Sequence, residues 1–170
     1  MSRKSFALAA IALAAMGPAL ANARPGSAPT MVKTFGAWGL YSYSTDGAKH
    51  CYALSAPLRA QPANVDHGNN YILVAPDPRA GSYYPQAVMG YDILGGSEIT
   101  VSVDGRNFSL TPKGNSAWTK NASDDAALVE AMKAGSSMTV SATSKRGTRT
   151  NYRYALAGLT AALTAAAKCS

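Results

Sequence analysis

Cysteine is scarce in this chain: 170 residues contain two, Cys51 and Cys169. Histidine is equally scarce, with His50 and His67 alone. No H-x-x-H, no C-x-x-C and no Asp-rich calcium loop occurs, so no metal site and no cofactor is expected. The serines carry no G-x-S-x-G context, and nothing marks a hydrolase nucleophile with a base in reach. His50 adjoins Cys51, and His67 sits in the polar stretch VDHGNN, where neither has an obvious catalytic partner. Phosphate-binding loops are missing, and Gly95-Gly96 reads as a turn. Asp92, Glu98 and Asp104 are lone carboxylates without a paired spacing. Charge is also thin, at 15% of residues. An enzyme is therefore the least expected reading.

Long apolar runs are absent too, except one. Residues 6–20 form a hydrophobic stretch interrupted by Gly17-Pro18, preceded by Arg3 and Lys4 and followed by Ala21-Asn22-Ala23. This is the layout of an export signal, with cleavage expected after Ala23. The run is shorter than the roughly 20 apolar residues that span a bilayer. No cysteine near the cleavage site offers a lipid attachment point. Cleavage leaves 147 of the 170 residues and lowers the net charge from +7 to +5. That balance is mildly basic, below the density of a nucleic-acid binder. One exported domain, periplasmic or beyond, is expected over residues 34–170, after a Pro/Ser-rich disordered lead-in at 24–33.

What the chain does contain is alternation. In EITVSVDGRNFSL, a two-residue turn at Asp104-Gly105 sets Val103 opposite Arg106, Val101 opposite Phe108 and Ile99 opposite Leu110. In FGAWGLYSYSTDGAKHCYALS, a turn at Asp46-Gly47 sets Ser42 opposite Cys51 and Leu40 opposite Ala53. Cys51 then shares the core face with Trp38 and Leu40, while Tyr41, Tyr43 and Tyr52 share the other. In SMTVSATSKRGTRTNYRYAL, a three-residue loop Arg146-Gly147-Thr148 pairs Met138 with Leu156, Val140 with Tyr154 and Ala142 with Tyr152. Tyr152 and Tyr154 then point inward, and Arg149 and Arg153 outward. Further strands are expected at residues 71–74 and 86–91, with a Pro-rich loop between them. The fold class is mainly β: an antiparallel β-sandwich-like domain of hairpins with two short helices, one of them C-terminal.

The first helix follows Ser123 as N-cap, with Asp124 and Asp125 in its first turn and Gly135 as its stop. The second runs from about Leu159 to the end, with Leu159, Ala162, Leu163 and Ala166 on one stripe that Cys169 continues. In an oxidising compartment two cysteines most often pair. Cys51 and Cys169 are therefore expected to form a disulfide that ties a short, Ala-rich helix to a core strand. A reactive thiol or an intermolecular bond is the alternative.

Two surface features remain as candidate binding residues. One is the basic set Lys145, Arg146, Arg149 and Arg153, which would suit an anionic envelope or host partner or simply keep a sheet face soluble. The other is the tyrosine set Tyr41, Tyr43 and Tyr52, with Tyr83 and Tyr84 in a loop.

Several stretches together resemble the invasion-associated locus B family of exported bacterial proteins. They are FGAWGLYSY followed by CYALS, GYDILGGSEITVSVDGRNFSL, AW at Ala117-Trp118, DDAALVEAMKAGSSMTV, and SKRGTRTNYRYALAGLTAAL ending in Cys169. The resemblance implies a periplasmic or envelope-associated β-rich domain, linked in pathogens to host-cell entry and without an established enzymatic activity. The chain departs from the family pattern at Ala37, where relatives carry an acidic residue, and at Tyr41-Ser42-Tyr43, where many carry another cysteine. It also has Asn151 where an acidic residue is usual. The expectation is a non-catalytic envelope interaction protein. The alternative is a structural or stress-related periplasmic module without a specific ligand.

Overall fold

The computed structural model describes residues 27–77 and 81–169. The expected export signal at 1–23 lies outside them, as do residues 24–26 of the expected lead-in. Alternating side chains produce strands almost throughout. In order these are β1 (Thr30–Phe35), β2 (Trp38–Thr45), β3 (Ala48–Ser55), β4 (Arg59–Gln61), β5 (Tyr71–Asp77) and β6 (Ser82–Val88). β7 (Ile99–Val103), β8 (Arg106–Lys113) and β9 (Ser116–Trp118) follow, then helix α1 (Ala122–Ala134), β10 (Ser137–Thr143), β11 (Arg149–Ala155) and helix α2 (Leu159–Cys169).

Every pairing is antiparallel, and the hydrogen bonds run through one sheet in the order β1-β2-β3-β5-β6-β9-β8-β7-β10-β11-β4. β8 divides it. Its residues from Arg106 to Leu110 pair with β7, and Thr111 to Lys113 pair with β9. The two halves bury their apolar faces in one core, which holds Trp38, Ala53, Val74 and Ala87 from one half and Ile99, Val101, Val140, Tyr152 and Tyr154 from the other. A seam joins their far ends. The Trp38 indole donates to the Ala155 carbonyl at 3.1 Å, and the Ala37 amide donates to the Ala157 carbonyl at 3.1 Å. Gly158, at φ +97°, lies against it; a Cβ there would stand 1.8 Å from the Phe35 carbonyl oxygen.

The two hairpins with two-residue turns have the expected registers, including Ser42 opposite Cys51 and Val101 opposite Phe108. The disulfide joins Cys51 and Cys169, 118 residues apart. It anchors α2, whose Leu159, Ala162, Leu163 and Ala166 are buried as the stripe requires.

Four expectations are corrected. The β10–β11 hairpin pairs Met138 with Tyr154, Val140 with Tyr152 and Ala142 with Thr150, two residues away from the expected register. Its loop is Lys145-Arg146-Gly147, closed by the Ser144 amide donating to the Thr148 carbonyl at 2.8 Å. The left-handed residue of such a loop comes last, so Gly147 (φ +85°) is its third position and not its second. A slip of two preserves the faces: Tyr152 and Tyr154 are buried, Arg149 and Arg153 exposed. Second, the Pro-rich loop is mostly strand, with Asp77 opposite Ser82 and Val74 opposite Pro85. Pro85 is tolerated because β9 pairs with β6 only from Gln86 onward. Third, α1 is capped by Asn121, whose side chain accepts from the Asp124 amide at 3.0 Å. Fourth, residues 30–33 of the expected lead-in belong to edge strand β1.

Just beyond α1, Asp104 accepts from the Ser136 and Ser137 amides at 2.7 and 3.2 Å. Chiefly the Ser136 amide holds its carboxyl below the usual carboxylate range.

Candidate interaction surface

With alternate residues committed to the core, the rest face outward, and the two halves of the sheet differ sharply there. In β2 and β3, Tyr41 lies opposite Tyr52 and Tyr43 opposite His50. Their rings associate: Tyr41 and Tyr52 stack with centroids 5.8 Å apart, Tyr43 and His50 at 5.1 Å, and Tyr43 meets Tyr52 edge-on at 6.1 Å. A Cβ on Gly39 would stand 2.7 Å from the Tyr41 ring, so glycine makes room for it. Across the sheet, Leu54, Leu73, Gln86 and Trp118 form one transverse row, and Ala75 lies opposite Tyr84. Small Ala75 on β5 thus stands between Tyr52 of β3 and Tyr84 of β6.

A trough of 560 Å³ occupies this face. Tyr43, His50 and Tyr52 line one side, Tyr84 and Trp118 the other, and no Lys, Arg, Asp or Glu among the described residues lines it. Tyr84 and Trp118 keep 49% and 37% of their surface exposed, large values for aromatic rings within strands. Burial, then the neighbouring Tyr71, Tyr41 and Tyr43, pushes the Tyr52 phenol up, so it stays neutral. Tyr84 donates to Asp77 Oδ2 at 2.7 Å.

The other half carries no aromatic ring at the corresponding outward positions. One row crosses five strands as Ser109, Thr100, Ser141, Asn151 and Gln61, and the next as Asn107, Ser102, Thr139, Arg153 and Arg59. The expected basic set borders this grid but does not converge. Arg149 lines a 470 Å³ depression with Glu98 and Gln61, Arg146 a 360 Å³ pocket with Tyr91 and Thr150, and Arg153 a third with Arg59. Lys145 is exposed in the hairpin loop.

Neither histidine has the surroundings of a general base with a nucleophile. His50 is stacked on Tyr43. His67 Nε2 lies 2.9 Å from the Pro62 carbonyl, which can only accept, so Nε2 carries the proton. His67 Nδ1, 2.8 Å from Tyr152 Oη, therefore accepts from that phenol. Beyond it, Tyr91 bonds to Thr150, which donates to the Ala142 carbonyl at 3.2 Å. Both ends of the arrangement terminate on backbone carbonyls, which is the pattern of a structural network. Burial, above all, pushes the Tyr152 and Tyr154 phenols well above their ordinary range.

Of the tyrosines singled out from sequence, Tyr43, Tyr52 and Tyr84 line the trough, and Tyr41 supports Tyr52 from behind. Leu73, Gln86 and Trp118 belong to the same surface and carry no local signal, because the pairings of β3 with β5, β5 with β6 and β6 with β9 bring them there in turn. Among the described residues, no helix is long and apolar enough to cross a membrane. No group of three or more His, Cys, Asp or Glu there is arranged to hold a metal ion.

No curated protein sequence matches the chain. Among solved structures, the crystal structure of invasion-associated protein B from Bartonella henselae superposes with a TM-score of 0.59 at 18% identity. The match covers 82% of this chain and 96% of that one, and it shows a shared fold. The family model for invasion-associated locus B (IalB) protein matches residues 38–167, from the first core tryptophan to the last turn of α2. The chain belongs to the invasion-associated locus B family.

Proposed function

We propose that this protein is a non-catalytic, exported interaction protein of the bacterial envelope, and that it engages its partner through the aromatic trough. The observation that carries this reading is a ring-lined concavity, with no charged side chain among the described residues that line it, on an otherwise ordinary sheet face. Exposed Tyr and Trp offer large contact area at low conformational cost, which is why they dominate binding hot spots. The signal-like N-terminus and the intramolecular disulfide support export. The committed hydrogen bonds of His67 and the stacking of His50 support a role without catalysis.

Site-specific photocrosslinking tests the reading. A benzoylphenylalanine placed at Tyr84 should give discrete envelope adducts in intact cells, and one placed at Asn151 should not. Adducts from Asn151 alone would move recognition to the polar half.

That second reading has its own support. Arg59 lies directly opposite Arg153, a pairing that is unfavourable without a counter-charge. Among the described residues the only salt bridge, Lys133 to Glu130, lies elsewhere. An anionic partner, such as an acidic protein loop or a carboxylate-bearing envelope polymer, would relieve the repulsion.

A further inference from the structure

The lining of the trough restricts its occupant. None of the described residues that line it is Lys, Arg, Asp or Glu, in a chain with 16 basic and 9 acidic side chains. An anion therefore finds no cation among the described lining residues, and the electrostatic match of that lining is to a neutral ligand. The trough lies on the face of β3, β5, β6 and β9; β5 and β6 pair along their whole length, whereas β3 meets β5 only through Ala53–Ser55 and Ile72–Val74. A peptide strand binds at a sheet edge, where its own N–H and C=O groups find partners. Over the paired stretches of β5, β6 and β9 those groups would lose water and gain little. An acyl chain would waste the polar equipment of the rim, which holds tyrosine hydroxyls, the His50 imidazole and the Gln86 amide.

A sugar ring matches what is left. Its C–H faces carry slight positive charge and pack on the negative faces of aromatic rings. Its edge hydroxyls suit phenol, imidazole and amide groups. Tyr52 and Tyr84 stand on strands two apart in the sheet, with Ala75 on the strand between them. That gap admits a flat ring between two aromatic walls. We infer that the trough is a binding site for a neutral glycan of flat, β-linked pyranose units. This deepens the proposed function and rests on its assignment of the recognition surface to the aromatic half.

Two tryptophans make the test direct, because Trp38 is fully buried and Trp118 stands in the trough. Emission of the full mature protein would be titrated with cellohexaose and chitohexaose, with maltohexaose as the curved comparator. A saturable change with at least one β-linked hexaose, at least about tenfold tighter than with maltohexaose, is the expected result. Tyr52→Ala and the milder Tyr84→Phe, each checked for an intact disulfide and an unchanged circular dichroism spectrum, should weaken it. Calorimetry with Trp118→Phe should show the loss without relying on fluorescence. No saturable change with either β-linked hexaose up to about 10 mM overturns the inference. So does a saturable response to tetramethylammonium alone, which would make the trough a cation cage. If the hexaoses fail while crosslinks from Tyr84 persist, the glycan inference falls and the recognition surface stands.

Discussion

The half of the sheet built from β1, β2, β3, β5, β6 and β9 turns Tyr41, Tyr43, Tyr52, Tyr84 and Trp118 outward. The half built from β7, β10, β11, β4 and the start of β8 turns out Ser, Thr, Asn, Gln and Arg. Inward, the two are alike: apolar residues at every second position, meeting in one core. Folding constrains only the inward set, because a one-residue slip would expose it. The outward set is free to differ, and the contrast between rings and hydroxyls is where one half acquires a recognition surface. Gly36, Gly158 and the Trp38–Ala155 hydrogen bond close the halves on each other, so either face can be altered while the shared core is kept.

The largest expected effect comes from breaking the tie within the aromatic half. Cys51→Ala opens a loop of 118 residues and should lower stability by up to about 5 kcal/mol in the chain-entropy view. Calorimetry gives the total. Hydrogen exchange should show β2, β3 and α2 losing protection more than β7 and β10, since α2 packs on β1, β2, β3 and β5. Equal loss in both halves would mean that the disulfide stabilises the core as a whole.

Next is the seam. Gly158→Ala forces a side chain into left-handed backbone and onto the Phe35 carbonyl, with an expected cost of roughly 2–4 kcal/mol. Denaturant unfolding measures it, and a neutral result would show that the seam does not hold the halves together.

A smaller pair of effects sharpens the comparison inside the polar half. Tyr152→Phe strands His67 Nδ1 and should cost about 1–3 kcal/mol. Tyr154→Phe removes a buried hydroxyl that has no hydrogen-bond partner among the described residues, so melting temperature should hold or rise. Both phenols are pushed above their ordinary value of 10.0. Their contribution is therefore complete below about pH 10 and lost as pH rises through the folded values, because the unfolded state releases those protons more readily. Alkaline melting curves should show the loss in wild type and less of it in the double phenylalanine variant.

Much of this architecture is legible from the chain, for reasons particular residues make clear. Ile99, Val101, Phe108 and Leu110 admit one register around Asp104-Gly105, and Leu40, Ala53 and Cys51 one around Asp46-Gly47. In the third hairpin Met138, Val140 and Ala142 can meet either of two sets of partners two residues apart. Only the placement of Gly147 in its loop decides between them. Strands β4 and β9, three residues each, carry no periodicity to read. Pro76 and Pro85 disguise β5 and β6 as a loop. The aromatic trough is half legible: Tyr43 and Tyr52 follow from one hairpin, whereas Tyr84 and Trp118 join them through pairings made at a distance. The basic set is legible as exposed residues but not as a site, because the loop and the pairing with β4 distribute its members among separate depressions.

The central claim is that recognition belongs to the aromatic half. Its most direct test is to capture crosslinked envelope partners with two folded variants side by side, one carrying Tyr52→Ser and Trp118→Ser, the other Ser at Lys145, Arg146, Arg149 and Arg153. Exposed strand and loop substitutions of the second kind should each change stability by no more than about half a kcal/mol. The aromatic variant should lose the partners that wild type captures, and the variant without the four basic residues should keep them. Loss in the basic variant, with capture intact in the aromatic one, would contradict the account and place recognition on the polar half.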